Sequence, residues 1–250
     1  MIIDTHCHFG VSKLSGRTIT EAKLLDVMNR NEIDLALVMP HAVTNDPIRS
    51  HEDVVDLCRR FPKRFCGITN FSPLLDEDEY RRSTSRFVRQ HGFVAVKLNP
   101  MQHLASPLMA NSDKVFDIAS DLGVPVIVHT GLGTPWALPS LCIPQARRHP
   151  DLPIVLAHAG YSIYTAEAYV AATECENIYL EPSWCSIHDL KWLLQKIGSE
   201  RILFGSDQPE NVPIELAKYH ALELDESTLA NCLWKTAQKV FNLNLFSVSE

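Results

Sequence analysis

Asp4, His6, Cys7 and His8 stand together in the opening segment MIIDTHCHFG, and each has a side chain able to bind a metal ion. Extended backbone sends alternate side chains to opposite faces, so Asp4, His6 and His8 are expected on one face and Ile3, Thr5 and Cys7 on the other. That sets two imidazoles side by side and turns the thiol away, with Asp4 deeper and suited to a hydrogen bond onto a histidine. A single buried histidine is ordinarily a hydrogen-bonded core residue. Here, however, four further apolar runs also end in ionisable groups: Lys97 in VAVKLNP, His129 in VIVHTG, His158 in VLAHAG and Asp207 in FGSDQP. Imidazoles with a carboxylate form an N/O ligand set for a divalent metal, Zn2+ before other first-row ions, and an open coordination position leaves room for water. Water on Zn2+ has a pKa near about 7, which makes hydroxide available at neutral pH.

These groups act together only if the strands that end in them converge. Short β-branched runs recur with a helix-like stretch after nearly every one: MIID, LALVM, FCGITNF, FVAVKL, VPVIVH, LPIVLAH, NIYLEP and RILFGSD. Between them lie amphipathic segments at 20–31, 51–61, 78–92 and 112–123. Strands apolar on both faces, joined by right-handed crossovers, make a parallel sheet with helices outside. Eight units in 250 residues predict an α/β fold, a (β/α)8 TIM barrel forming a single domain over 1–250. An open doubly wound sheet is the alternative, but the first strand-to-helix turn carries H-x-H where G-x-G-x-x-G would be needed. The tail DESTLANCLWKTAQKVFNLNLF reads as extra C-terminal helices packed under the barrel. Proline and glycine gather in NPMQHLASP, TGLGTPWALP and SDQPENVP, which puts the long loops on the C-terminal side of the strands, the face where barrel active sites form.

Composition narrows the classes further. The chain is 46% hydrophobic with a formal charge of -7, which offers no electrostatic attraction to nucleic acid or anionic lipid. Seven scattered cysteines without a C-x-x-C pair do not form a disulfide framework. Without a leader-like N-terminal segment or a membrane-length apolar run, the expectation is a cytoplasmic protein with a small-molecule substrate, a homo-oligomer being compatible.

The series DTHCH, VHTG, AHAG and FGSDQP, with the ending TAQKVFNL, resembles the amidohydrolase superfamily over essentially the whole chain. The likeness is closest to the amidohydrolase-related branch, which includes metal-dependent hydrolases and decarboxylases similar to aminocarboxymuconate semialdehyde decarboxylase. The resemblance implies that His6, His8, His129 and Asp207 hold one metal, with His158 beside the bound water or substrate. In binuclear relatives His158 would join a second ion and Lys97 would bridge both as a carbamate. An unmodified Lys97 ammonium is the other reading, so one or two ions remain open.

The mechanism expected from this set is hydrolysis of a C–N bond, ester or lactone. Asp207 takes the proton from the nucleophilic water and passes it to the leaving atom, while His158 steadies the oxyanion. Non-oxidative decarboxylation of a small unsaturated or aromatic acid is the alternative; an arginine in the pocket would favour it, and none stands at a strand end. A TatD-like nuclease is a third reading, but VAVKLNP lacks the carboxylate that family places there. His41, Asn70, Trp136, Glu181, Ser183 and Trp184 are candidates to line the pocket. His51, His91, His103, His149, His188 and His220 are expected to be solvated.

Overall fold

The computed structural model describes residues 1–131 and 134–245. Leu132 and Gly133 of the TGLGTPWALP loop lie outside the described residues. Along the chain the strands are β1 (Ile3–Val11), β2 (Thr18–Ile19), β3 (Leu35–Pro40), β4 (Phe65–Thr69), β5 (Ala95–Leu98), β6 (Val126–His129), β7 (Ile154–Ala157) and β8 (Ile178–Glu181). The helices are α1 (Glu21–Arg30), α2 (Pro47–Arg60), α3 (Glu77–His91), α4 (Pro100–His103), α5 (Ala110–Leu122), α6 (Ile143–Arg148), α7 (Thr165–Glu174), α8 (Ile187–Ile197), α9 (Val212–Ala221), α10 (Glu226–Ala230) and α11 (Thr236–Val240). Side chains of Thr20, Asp46, Asp76 and Ser186 accept the free N–H groups that open α1, α2, α3 and α8.

β1 and β3 to β8 pair in parallel in chain order, and the short β2 folds back antiparallel on β1. RILFGSD, expected as a full strand, closes the (β/α)8 barrel with single bridges: Ile202 lies opposite Leu180, and Asp207 opposite Cys7. Leu203 N–H donates to Leu180 O at 2.9 Å, Thr5 N–H to Phe204 O at 3.0 Å and Asp207 N–H to His6 O at 2.7 Å. The seam is irregular because β1 bulges there, its register against β3 shifting between Asp4 and Cys7.

Two apolar layers follow from strand alternation. Outward residues such as Ala36, Val38, Val96, Val128 and Leu156 pack with Leu24, Met28, Val54 and Phe116 of the helices, and Cys7 lies in this layer as expected. Inward residues Ile3, Leu35, Leu37, Ala95, Ile127, Tyr179 and Leu203 fill the lower barrel, where Ala237, Val240, Phe241 and Leu243 of the C-terminal tail plug the bottom. The extra C-terminal helices are therefore present, joined by a π-helical turn at Asn231–Lys235.

Two histidines expected at the surface are core residues. His51 is buried because α2 starts at Pro47 and carries it inward: Nδ1 lies 2.6 Å from Pro47 O, Nε2 accepts from Asn70 N–H at 2.9 Å, and the ring stacks on Phe71 at 3.9 Å. His103, in the short α4, is buried too.

Candidate metal centre

The upper barrel reverses the chemistry of the lower. Two residues above inward Ala95, Ile127 and Tyr179 stand Lys97, His129 and Glu181, and two steps above Leu203 along the closing segment come Gly205 and then Asp207. Period two thus carries each strand from packing to polar groups within one pleat. The rings of His6 and His8 lie 5.5 Å apart, and Asp207 Oδ1 is 3.5 Å from His6 Nε2 and 3.4 Å from His8 Nε2. Ligands about 2.1 Å from a tetrahedral ion are separated by about 3.4 Å, so these three buried donors are already spaced to hold one divalent cation. His8 Nδ1 has no hydrogen-bond partner among the described residues.

The His129 ring lies 4.8 Å from that of His158, and His129 is not one of the three residues whose donor atoms already converge. It lines the same cavity of ≈ 210 Å³, together with His8, His41, His158, Tyr161, Asp207 and Arg17. His6, His158 and Glu181 also lie close together, but hydrogen bonds occupy that cluster. His6 Nδ1 is 2.8 Å from Glu181 Oε2, and His158 Nδ1 is 2.8 Å from Ser183 Oγ.

Lys97 is fully buried, its Nζ 3.0 Å from His6 Nε2, the atom a metal would use. Burial lowers its pKa, with Asp207 and Glu181 opposing that shift. Burial would raise the pKa of Asp207, but a hydrogen bond with His8 and the imidazoles of His6 and His158 outweigh it and hold the carboxyl well below the ordinary range. Asp207 is therefore an anion, suited to ligation or proton acceptance. Its other oxygen, Oδ2, accepts from the Trp184 indole N–H at 2.9 Å. The Trp184 backbone N–H in turn donates to buried Glu215 at 2.9 Å.

The expectation for Asp4 is corrected. Because β1 bulges after it, Asp4 pairs in register with outward Ala36 and lies off the face of His6 and His8. Its carboxylate accepts from Ser206 N–H at 3.0 Å, Ser206 Oγ–H at 2.6 Å and the His6 backbone N–H at 3.1 Å, which pins the FGSD segment to β1. Glu181 is the carboxylate that meets the His6 ring. Of the other pocket candidates, His41 lines the cavity, stacked on His8 at 4.9 Å and 5°, and burial pushes its pKa down to about 3. Asn70 instead ties to Pro40 O at 2.8 Å, and the Trp136 indole donates to Pro100 O at 3.0 Å. The sequence reading missed Arg17, which reaches the cavity from the β1–β2 turn and donates to Gln208 Oε1 at 2.7 Å.

A family model described as amidohydrolase matches residues 3–243. Gamma-resorcylate decarboxylase of Rhodococcus jostii is 23% identical over 297 aligned positions that cover 90% of each chain. Among solved structures, 2,6-dihydroxybenzoate decarboxylase from Rhizobium has a TM-score of 0.76 at 16% identity, covering 96% of this chain and 98% of its own. A 5-carboxyvanillate decarboxylase from Novosphingobium aromaticivorans, solved with manganese, has a TM-score of 0.77 at 16% identity, covering 97% and 96%. At these identities the structural likeness speaks for the barrel fold.

Proposed function

The chain belongs to the amidohydrolase family, and on that footing we propose that it is a metal-dependent, non-oxidative decarboxylase of a small aromatic or unsaturated acid. Arg17 carries this reading: a guanidinium faces the cavity whose floor is His8, His129, His158 and Asp207. The sequence preference for hydrolysis rested on the lack of an arginine at a strand end, and Arg17 arrives from a hairpin. The relatives named for 2,6-dihydroxybenzoate and 5-carboxyvanillate support an aromatic substrate.

His6, His8 and Asp207 would hold the ion, and His129, which lines the same cavity, would turn toward it to serve as a fourth ligand. When bound, it supplies a Lewis acid that neutralises substrate oxygen charge. Mn2+, found in relatives, and Zn2+ both suit this donor set. Arg17 orients the substrate by a charge-assisted contact from the rim. Loss of CO2 from an aromatic acid leaves an electron pair at the ring carbon, so that carbon must first receive a proton. Asp207, held as an anion, is a poor source. His158 can accept the proton of a hydroxyl ortho to the carboxylate and return it to the adjacent ring carbon; CO2 departs with the C–C bond broken and aromaticity restored. We read Lys97 as an unmodified amine, whose Nζ, 3.0 Å from His6 Nε2, donates to that ring nitrogen. One domain over 1–250 and a reducing, cytoplasmic setting, in keeping with seven free cysteines, complete the reading.

The test is to strip the metal, restore Mn2+ or Zn2+, and follow CO2 release from benzoates with and without an ortho hydroxyl beside an ester, lactone and amide panel. Metal-dependent CO2 release confined to ortho-hydroxy acids is expected. Hydrolysis without CO2 would overturn the reading.

A further inference from the structure

We infer that Glu181 and Ser183 are positioning residues that fix the ring tautomers of His6 and His158, so that both present a bare Nε2, the first to the metal and the second to the substrate. The inference rests on the metal-centre reading above and follows from counting hydrogen-bond donors. Glu181 Oε1 accepts the Ser183 backbone N–H at 2.7 Å, and Oε2 meets the longer His158 backbone N–H at 3.4 Å. The same Oε2 lies 2.8 Å from His6 Nδ1 and 3.1 Å from Ser183 Oγ. A carboxylate only accepts, so both remaining partners must donate: His6 carries its proton on Nδ1, and the Ser183 hydroxyl points at Glu181.

Ser183 has one hydroxyl hydrogen. With it directed to Glu181, the 2.8 Å contact between Ser183 Oγ and His158 Nδ1 must be an N–H donating to oxygen. His158 is then also an Nδ1–H tautomer. A protonated Glu181 could reverse the second half by donating to Ser183, whose hydroxyl would turn to His158 and move that ring's proton to Nε2. Burial raises the pKa of the Glu181 carboxyl, but backbone N–H groups stand at both of its oxygens and occupy them as acceptors, which is the geometry of the first arrangement. Imidazoles at metal sites commonly owe their tautomer to such an outer partner. Here one carboxylate serves two rings, the second through a serine.

Gly205 gives independent support. A Cβ there would lie 2.7 Å from Cγ and Cδ of Glu181, so the carboxylate reaches this position only because residue 205 has no side chain. The glycine of FGSDQP thus admits the residue that orients His6, and the motif contributes more than Asp207. For chemistry the consequence is directional. His158 enters the reaction as a proton acceptor, and any proton it delivers must first be taken from the substrate.

The measurement is a two-bond 1H–15N correlation spectrum of the full-length, metal-stripped protein labelled at histidine, with the two rings assigned by signal loss in His6→Gln and His158→Gln. Nδ1–H patterns are expected for both rings. Ser183→Ala should release His158 toward Nε2–H and leave His6 unchanged, and Ser183→Thr should restore the native pattern. An Nε2–H pattern for His158 in the native chain, or no change in Ser183→Ala, overturns the inference. Glu181→Gln should weaken Mn2+ binding about 10–100-fold, and undiminished binding would refute its hold on His6. Should Glu181→Gln fail to fold, the serine variants decide alone. Both rings as Nδ1–H without CO2 release would refute the decarboxylase and keep this inference; CO2 release with His158 as Nε2–H would do the opposite.

Discussion

The two ends of this barrel are built from the same strands and do opposite things. At the bottom, Ile3, Ala95, Ile127, Tyr179 and Leu203 meet the C-terminal plug of Ala237, Val240, Phe241 and Leu243. At the top, one pleat along, Lys97, His129 and Glu181 face inward, and the backbone is strained: His158, Ala159, Tyr161, Ser162, Trp184 and Asp207 all hold positive φ. Desolvating so many ionisable groups is costly, and the apolar lower layer offsets that cost. The contrast teaches that stability and chemistry are divided along the barrel axis.

The sharpest way to break that division is to remove one group from each end. Asp207→Asn replaces the anion that His6 and His8 converge on, and CO2 release should fall on the order of 10³-fold, equivalent to about 4 kcal/mol of lost stabilisation. The metal-free melting temperature should fall by only a few degrees, since what is lost is the anion's favourable contacts with His6, His8 and Trp184. Phe241→Ala should do the reverse. Loss of that buried ring costs about 3–5 kcal/mol, or roughly 10 °C in a chain of this length, with Mn2+ affinity of the folded protein unchanged. Calorimetry paired with metal titration reads both. A folded Phe241→Ala protein that could not bind metal would show the ends to be one unit.

His51 sharpens the comparison from the upper side, where polar groups are buried behind the mouth. Burial lowers its pKa from 6.5 to about 4, against a hydrogen bond to Pro47 O that acts to raise it. The folded state therefore keeps the ring neutral while the unfolded chain protonates it below about 6.5. Its contribution is complete above that pH and is lost as pH falls through 6.5 toward 4, amounting to about 3 kcal/mol. Denaturant titrations at pH 7.5 and 4.5 should show a smaller acid loss in His51→Asn than in the native chain. Equal losses would mean that the acid sensitivity lies elsewhere.

How much of this was legible in the sequence differs between the ends for a physical reason. Apolar periodicity reports burial, so the strands, the helix layer and the plug were readable, and strand ends such as His129 and His158 could be aligned at one mouth. Strict alternation failed at Asp4, because the bulge between Asp4 and Cys7 depends on the seam it forms with Phe204 and Asp207, some two hundred residues away. The same seam makes RILFGSD a set of bridges where a regular strand was expected. Glu181 was visible as a polar strand end, yet nothing local says that it lies beneath His6, since Gly205 on another segment makes the room. His51 escaped notice because a histidine on an amphipathic helix reads as polar, whereas Asn70 and Phe71 decide its burial.

Arg17 is the hardest case and gives the mildest prediction. It belongs to a turn between β1 and β2, a two-residue strand with no signal of its own, and only the fold of that hairpin brings it over the cavity. Its side chain is at the exposed rim and is held by neutral Gln208, so water competes for any substrate anion it binds. Arg17→Gln should therefore raise KM about tenfold and leave kcat within about twofold, an effect near 1.4 kcal/mol that added salt diminishes in the native enzyme. A fall in kcat with unchanged KM would move Arg17 from binding into the chemical step and extend the reacting centre outward from Asp207 and His158 to the hairpin. An unchanged KM and kcat would remove the observation on which the decarboxylase reading stands and return the preference to hydrolysis.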